Sequence, residues 1–272
     1  MTSKIQLIFV GTVLIVLTAE IVWSRLKHKN VYSLKESLGN LGIFIGNNIM
    51  KPLSIGWKLL VFGWVEQFQF FSIPTNILTV ILTFFVAEFV FYWYHRLSHE
   101  LPLLWTMHHT HHSGMKMNFT TAIRLNWLGA FVSPLIYLPF VLLGFSAEIL
   151  TICIALGLFF QYFLHTEAVG KLGIFEGKFF NTPSAHRVHH GSNKIYIDKN
   201  YGGSLIIFDR LFGTYQPETE KVNYGVTSGF FSNNPLKINF LPLYQFLRGN
   251  WKREKERLSE KENFNKKKYS TK

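Results

Sequence analysis

The chain has 272 residues, 48% of them hydrophobic and 16% charged, with a formal net charge of +12. Length alone allows one or two domains, but the long apolar runs point to one membrane-embedded unit. The Lys and Arg excess flanks those runs, so it reads as topology and anionic-lipid signal and argues against a nucleic-acid partner.

The single cysteine, Cys153, lies inside an apolar run. A disulfide framework and a cysteine-based zinc site are therefore excluded, and Cys153 reads as a small buried hydrophobe. Residues 5–24 match one bilayer crossing and lack a small-residue cleavage site, so they read as an anchor. Arg25, Lys27 and Lys29 follow at once and favour a cytoplasmic 25–37. Residues 41–71 are apolar but interrupted by Asn47, Asn48, Lys51, Pro52 and Lys58. Their first part is expected at the interface, with 53–71 crossing.

Ser72-Ile73-Pro74-Thr75-Asn76 is a turn-and-cap cluster, and 77–94 then forms a clear span that delivers His95 at its exit. A polar stretch, 95–126, precedes two apolar runs, 127–144 and 147–164, which read as a helical hairpin turning at Gly144-Phe145-Ser146. An even number of crossings between 126 and 165 returns the chain to the face it left. That face is cytoplasmic by the charge rule. Residues 166–247 are mixed, and the tail from Trp251 is basic, a solvated segment attracted to anionic lipid. The expected fold is all-α: an integral membrane bundle of about four to five spans under a cytoplasmic helical cap. Its divisions are an N-terminal anchor (1–76), a catalytic unit (77–216) and a C-terminal cytoplasmic segment (217–272).

The chemistry lies in the histidines. His95 and His99 are spaced i, i+4, so one helix face carries both imidazoles. His108, His111 and His112 are spaced i, i+3, i+4, and His186, His189 and His190 repeat that spacing. Two of each three can address one metal while the third reaches sideways to another. Eight imidazoles are too many for one ion and suit two ions with open positions. No H-E-x-x-H zinc-protease motif and no Glu-x-x-His pair occurs. A histidine-rich pair of redox metals is the best match, although imidazole serves iron, zinc and copper alike. His28 and His109 read as interfacial side chains outside the set. Trp93, Trp105 and Trp127 read as interfacial anchors.

Ordered motifs over residues 80–216 give the pattern a family character. They are His95-Arg96-x-x-His99, then His108-x-x-His111-His112 with Asn118 and Arg124, then His165-Thr166-Glu167. Asn181-Thr182-Pro183-Ser184-x-His186-Arg187-Val188-His189-His190-Gly191 follows, running into Asp198-Lys199-Asn200-Tyr201-Gly202-Gly203 and Phe208-Asp209-Arg210-Leu211-Phe212-Gly213-Thr214. The chain resembles the fatty acid hydroxylase/sterol desaturase superfamily of membrane di-iron oxygenases. Within it the pattern is most similar to alkylglycerol monooxygenase-like and bacterial sterol-desaturase-like members.

The resemblance implies two iron ions held by His95, His99, His108, His111, His112, His165, His186, His189 and His190. It also implies dioxygen activation, with hydroxylation or desaturation of a sterol, fatty acyl or ether lipid drawn from the bilayer. Electrons would come from a separate donor such as a cytochrome, a ferredoxin or a reduced pterin. The first histidine pair has three intervening residues where several members have four, and Gln161 stands where some carry a further histidine. Gln161 is thus a candidate weak ligand or ligand support. Glu167, Asp198, Asn200 and Asp209 are candidates for holding the outer nitrogens of the ligands, and Asp209 with Arg210 for a network or a salt bridge. Two other classes compete: a zinc- or iron-dependent lipid hydrolase, and a metal transporter lined by histidines. A transporter should bury its ligands at mid-membrane, whereas these cluster where spans exit.

Overall fold

In a computed structural model, which describes residues 3–250, the regular elements are helices joined by loops. It opens with α1 (Ser3–Leu26), α2 (Leu34–Glu66), α3 (Ile77–Glu100) and α4 (Pro102–His112). Short helices α5 (Phe119–Ala122) and α6 (Gly129–Val132), a 3-10 turn at Ser133–Tyr137 and α7 (Leu138–Leu142) lead into α8 (Ala147–Tyr162). A 3-10 turn at Gly173–Phe175 precedes α9 (Pro183–His189), α10 (Ile207–Leu211) and α11 (Pro235–Leu247). Among the described residues the β-type pairing is confined to an isolated antiparallel bridge, Phe180 with Leu205. The basic tail from Trp251 lies outside the described residues.

Helix α3 carries the site at its C-terminal end. Asn76 starts it with a reciprocal cap, its side chain accepting from the Leu78 and Thr79 N–H groups while Thr79 accepts from the Asn76 N–H. Pro102 opens α4 immediately after Leu101, which is held extended as residues before proline are. Among the described residues α3 is the one helix long and apolar enough to cross a membrane, with a mean hydropathy of 1.9. The helix continues to Glu100, so His95 and His99 sit in its last turns and not on a following segment.

Two expected spans take a different form. The interrupted stretch 41–71, expected as an interfacial part followed by a crossing 53–71, belongs instead largely to one helix, because α2 runs 33 residues through Pro52 to Glu66. A proline removes one ladder bond, and long flanking stretches with tertiary contacts outweigh that loss. At the N-terminal end of α2, Glu36 accepts from the Met115 N–H at 2.7 Å. At its other end Val61, Phe62 and Val65 join Ala87, Val90, Leu150 and Cys153 in the apolar core, where each fully buried large side chain is worth about 1.5–3 kcal/mol. Cys153 is buried there, as its apolar run implied.

The hairpin also differs in its first limb. Instead of one helix over 127–144, Pro134 and Pro139 divide it into α6, the 3-10 turn and α7. Both this limb and α8 are shorter than the membrane-crossing length. The turn between them needs Gly144, at φ +106°, because a Cβ there would meet the Phe71 carbonyl oxygen at 2.2 Å.

All three divisions wall the histidine region. Glu20, near the end of α1 and 2% exposed, accepts from the Phe119 N–H and from the hydroxyls of Tyr32 and Thr166. The anchor expected over 5–24 thus ends in a polar knot beside His165. From the C-terminal side, α11 meets α4 and the 126–127 turn, with Thr110 donating to the Ile238 carbonyl and Asn239 accepting from the Trp127 N–H.

Candidate metal centre

Nine histidines converge in two groups. His95, His99, His108, His112 and His189 form one; His111, His165, His186 and His190 form the other, with ligand atoms inside each group within 4.8 Å of one another. The repeated triplet produces this division. On α4, His108 and His112 enter the five-histidine group while His111 faces the other. On α9 the roles reverse: His186 and its C-cap neighbour His190 enter the four-histidine group and His189 crosses over. Pro183 at the first position and the Thr182 cap, accepting from the Ala185 N–H, fix where α9 begins and so its histidine register.

The outer nitrogens decide what the inner ones offer. Nδ1 of His95 donates to the Tyr201 carbonyl at 2.7 Å, Nδ1 of His189 to the Lys199 carbonyl at 3.0 Å and Nδ1 of His165 to the Gln161 carbonyl at 2.8 Å. Nδ1 of His111 donates to the Arg124 carbonyl at 3.3 Å. A carbonyl only accepts, so each of these rings carries its proton outside and presents a bare Nε2 inward.

Nε2 of His165 nevertheless lies 3.1 Å from Nε2 of His111. Two lone pairs at that distance repel unless a cation stands between them. Histidine nitrogens bind first-row metals at about 2.0–2.1 Å, so neighbouring ligands at right angles stand about 3 Å apart. The His95–His108 and His186–His165 separations of 2.8 and 2.9 Å match that edge. The buried inner nitrogens of His99 and His189 have no hydrogen-bond partner. The residues therefore fit metal ions.

Electrostatics agree. Burial, followed by mutual repulsion, holds His108, His112, His189 and His190 well below the usual 6.5. His111 and His186 are lowered in the same way, and burial brings His165 down to about 4. Neutral imidazole is the form a metal requires.

The expected supporting residues divide. Asp198 lies on the outer nitrogen of His99 at 3.7 Å. Asp209 acts one step removed: its carboxylate accepts from the Tyr201 and Gly202 N–H groups, both at 2.7 Å, and so fixes the carbonyl that orients His95. Burial raises Asp209 to about 6 against those bonds. Arg210 does not pair with it; the guanidinium donates to the Gly177 carbonyl and stacks on Tyr215. Asn200, at φ +56°, bonds Ala185 and Gln216 and so ties α9 to the following loop. Gln161 serves His165 through its backbone carbonyl, while a Cβ added at Gly203 would come within 2.9 Å of its amide nitrogen. Glu167 meets the Tyr224 hydroxyl.

Other positions carry weight not read from the sequence. Trp105, expected as an interfacial anchor, is buried with its ring 4.9 Å from that of His99. Trp127 donates its indole N–H to the Ile43 carbonyl on α2. His109 is outside both groups, as expected, yet it is fully buried between Trp105 and Phe230 and not interfacial. Arg124 is wholly buried, bonding the Thr110 carbonyl, Asn40 and Ser113, and burial lowers it to about 10. Two buried carboxylates add to these: Glu88 accepts from the Ser204 and Leu205 N–H groups as Glu20 does from Phe119, and a carboxylate inside an apolar run is itself a signal.

Comparison with known proteins gives the same direction. The fatty acid hydroxylase family model matches residues 80–214. Alkylglycerol monooxygenase of Homo sapiens is 38% identical over 199 residues, covering 73% of this chain and 44% of that protein. The Danio rerio alkylglycerol monooxygenase is 39% identical over 201 residues, with 74% and 44% covered. Ornithine lipid hydroxylase of Rhizobium tropici is 31% identical over 151 residues, with 54% and 45% covered. The chain thus spans less than half the length of these relatives. No solved structure matches it. All nine histidines fall inside the matched region, and the chain belongs to the fatty acid hydroxylase family.

Proposed function

We propose that the chain is an integral membrane di-iron oxygenase that hydroxylates or desaturates a lipid, with His95, His99, His108, His112 and His189 holding one iron and His111, His165, His186 and His190 the other. The observation that carries this reading is the pair of bare nitrogens on His111 and His165 at 3.1 Å, within two groups whose other Nε2–Nε2 approaches are equally close at 2.8–3.2 Å. An all-imidazole donor set suits borderline first-row metals, and iron among these also has the redox chemistry that a monooxygenase needs. Bound iron would supply dioxygen activation and removal of hydrogen from an unactivated C–H bond.

The protein's own residues hold neutral imidazoles in place and exclude water. Carbonyls of Tyr201, Lys199, Gln161 and Arg124 lock the ring tautomers, while Asp209 locks the Tyr201 loop. The site lies at the C-terminal end of membrane-length α3, so a lipid can reach it from the bilayer. We place α1, the second half of α2, α3 and the 127–164 hairpin in or against the membrane, and the histidine cap and C-terminus on the cytoplasmic side. Electrons come from a separate carrier.

The relatives' names make alkylglycerols the first substrates to test and ornithine lipids the second. Membranes containing the protein, supplied with reductant and ¹⁸O₂, should place labelled oxygen in a lipid product or yield an alkene with matching oxygen uptake. Turnover of lipid without oxygen uptake would contradict the reading and favour a hydrolase. Metal flux in proteoliposomes would favour a transporter.

A further inference from the structure

We propose that the loop over residues 171–180 is an interfacial anchor, with Ile174 and Phe175 inserted at the headgroup–acyl boundary of an anionic leaflet. The loop lies between His165 and His186, both in the four-histidine group, and outside every helix that could span a bilayer. Ile174 and Phe175 are 72% and 71% exposed and adjacent on one tight 3-10 turn. Adjacent large apolar side chains this bare are unusual on a surface facing water.

Three observations select lipid as the occupant. The first is continuity with the apolar helices: Phe179 packs edge-on against Phe85 of α3 at 6.3 Å, and Phe180 tilts against Phe160 of α8 at 6.2 Å. Phe85 precedes His95 by ten residues, about 15 Å along a helix, so the loop descends from the histidines toward the apolar end of α3.

Backbone economy is the second. Lipid tolerates irregular chain only where its polar groups find partners. Here the Phe175, Glu176 and Lys178 N–H groups bond to the carbonyls of Leu172, Gly173 and Phe175. The Leu172 N–H goes to the Glu176 side chain, and Ile206 and Asn181 close the base of the loop against Phe179 and Ser204.

Charge is the third. Lys171 and Lys178 are exposed on either side of the apolar tip, while Glu176, the acid between them, is used internally by Leu172 and Thr182. An apolar tip flanked by lysines matches an anionic leaflet, with the lysine stems along the interface and the ammonium groups among phosphates. The Glu176–Thr182 bond joins the loop to the residue that caps α9, so seating the loop also fixes the depth of His186, His189 and His190 relative to the bilayer.

The proposal rests on the membrane embedding proposed above, and one experiment separates the two. Single spin labels at Ile174→Cys, Phe175→Cys, Leu82→Cys and Lys221→Cys are introduced in a Cys153→Ala background of the full chain. The protein is placed in nanodiscs of phosphatidylcholine with phosphatidylglycerol, and metal content confirms the fold of each variant. Collision with oxygen is then compared with collision with a water-soluble nickel chelate. Labels at 174 and 175 are expected to favour oxygen, as at Leu82 on α3, at about 5–10 Å below the headgroup plane, while Lys221 favours nickel. Nickel access at 174 and 175 with oxygen preference at Leu82 would overturn the loop proposal alone. Shielding of 174 and 175 from both probes would overturn it in favour of a protein partner. Nickel access at Leu82 would overturn the embedding itself. The double variant Lys171→Gln/Lys178→Gln should bring the 175 label closer to the surface in the anionic discs and leave it unmoved in pure phosphatidylcholine; equal depths in both would overturn the choice of an anionic leaflet.

Discussion

The two histidine groups are built from the same motif but are not equivalent. The first has five imidazoles, Asp198 on the outer side of His99, and two members, His99 and His108, that are only partly buried. The second has four, all buried, with no carboxylate on the outer nitrogens described above. An ion with six positions would have one open in the first group and two in the second. With a metal bound, the four-histidine group would thus have more room for chemistry and less redundancy in holding the ion. Loss of a ligand should distinguish the two.

The largest effect is expected at His165→Ala. With three ligands left, bound iron should fall from about two ions per chain to about one, and turnover by more than about 100-fold. Metal analysis alongside an oxygen-uptake assay reads both. His99→Ala leaves four ligands in the larger group, so iron near the full load is expected under excess metal, with affinity reduced about 10–100-fold. Equal losses from the two variants would show that the groups do not differ as their ligand counts imply.

Asp209→Asn acts through the backbone. An amide has one acceptor oxygen where the carboxylate serves Tyr201, Gly202 and Thr214. Metal affinity should drop about 10-fold by loosening His95, and the pH profile of metal loading should shift while membrane insertion stays intact.

Acid should weaken the metal-free fold. Burial holds His108, His111, His112, His186, His189 and His190 well below the usual 6.5 and His165 at about 4, so below about pH 6.5 the unfolded chain binds more protons than the folded one. Stability is therefore expected to fall from pH 6.5 toward pH 4, each kcal/mol lost lowering Tm by about 2–4 °C in a chain of this size. A melting temperature independent of pH in that range would mean the rings are not buried neutral. The smallest effect is expected at Glu167→Gln: Glu167 meets Tyr224, so metal affinity should stay within about twofold and stability within about 0.5 kcal/mol.

The histidine grouping was legible because helical spacing dictates it. In both H-x-x-H-H runs the i, i+4 pair enters one histidine group and the i+3 residue the other, and α4 and α9 reproduce that division. The supports were less legible. Carbonyls of Tyr201, Lys199, Gln161 and Arg124 orient the rings, and any residue type supplies a carbonyl, so no side-chain pattern marks them. Asp209 was visible as a candidate, but its route through the Tyr201 loop depends on tertiary folding. The all-helical class followed from the long apolar runs. The form of the 127–144 limb did not, because average hydropathy is insensitive to two prolines that divide a helix. Trp105 misled for a related reason: indole suits both an interface and a buried ring stack, and only packing against His99 decides between them.

Metal content and oxygen uptake, measured together on protein purified in lipid discs and reconstituted with ferrous iron without air, test the di-iron reading most directly. About two irons per chain, with oxygen consumed only when lipid and reductant are both present, is the expected result. Zinc at full occupancy with no oxygen uptake would contradict it.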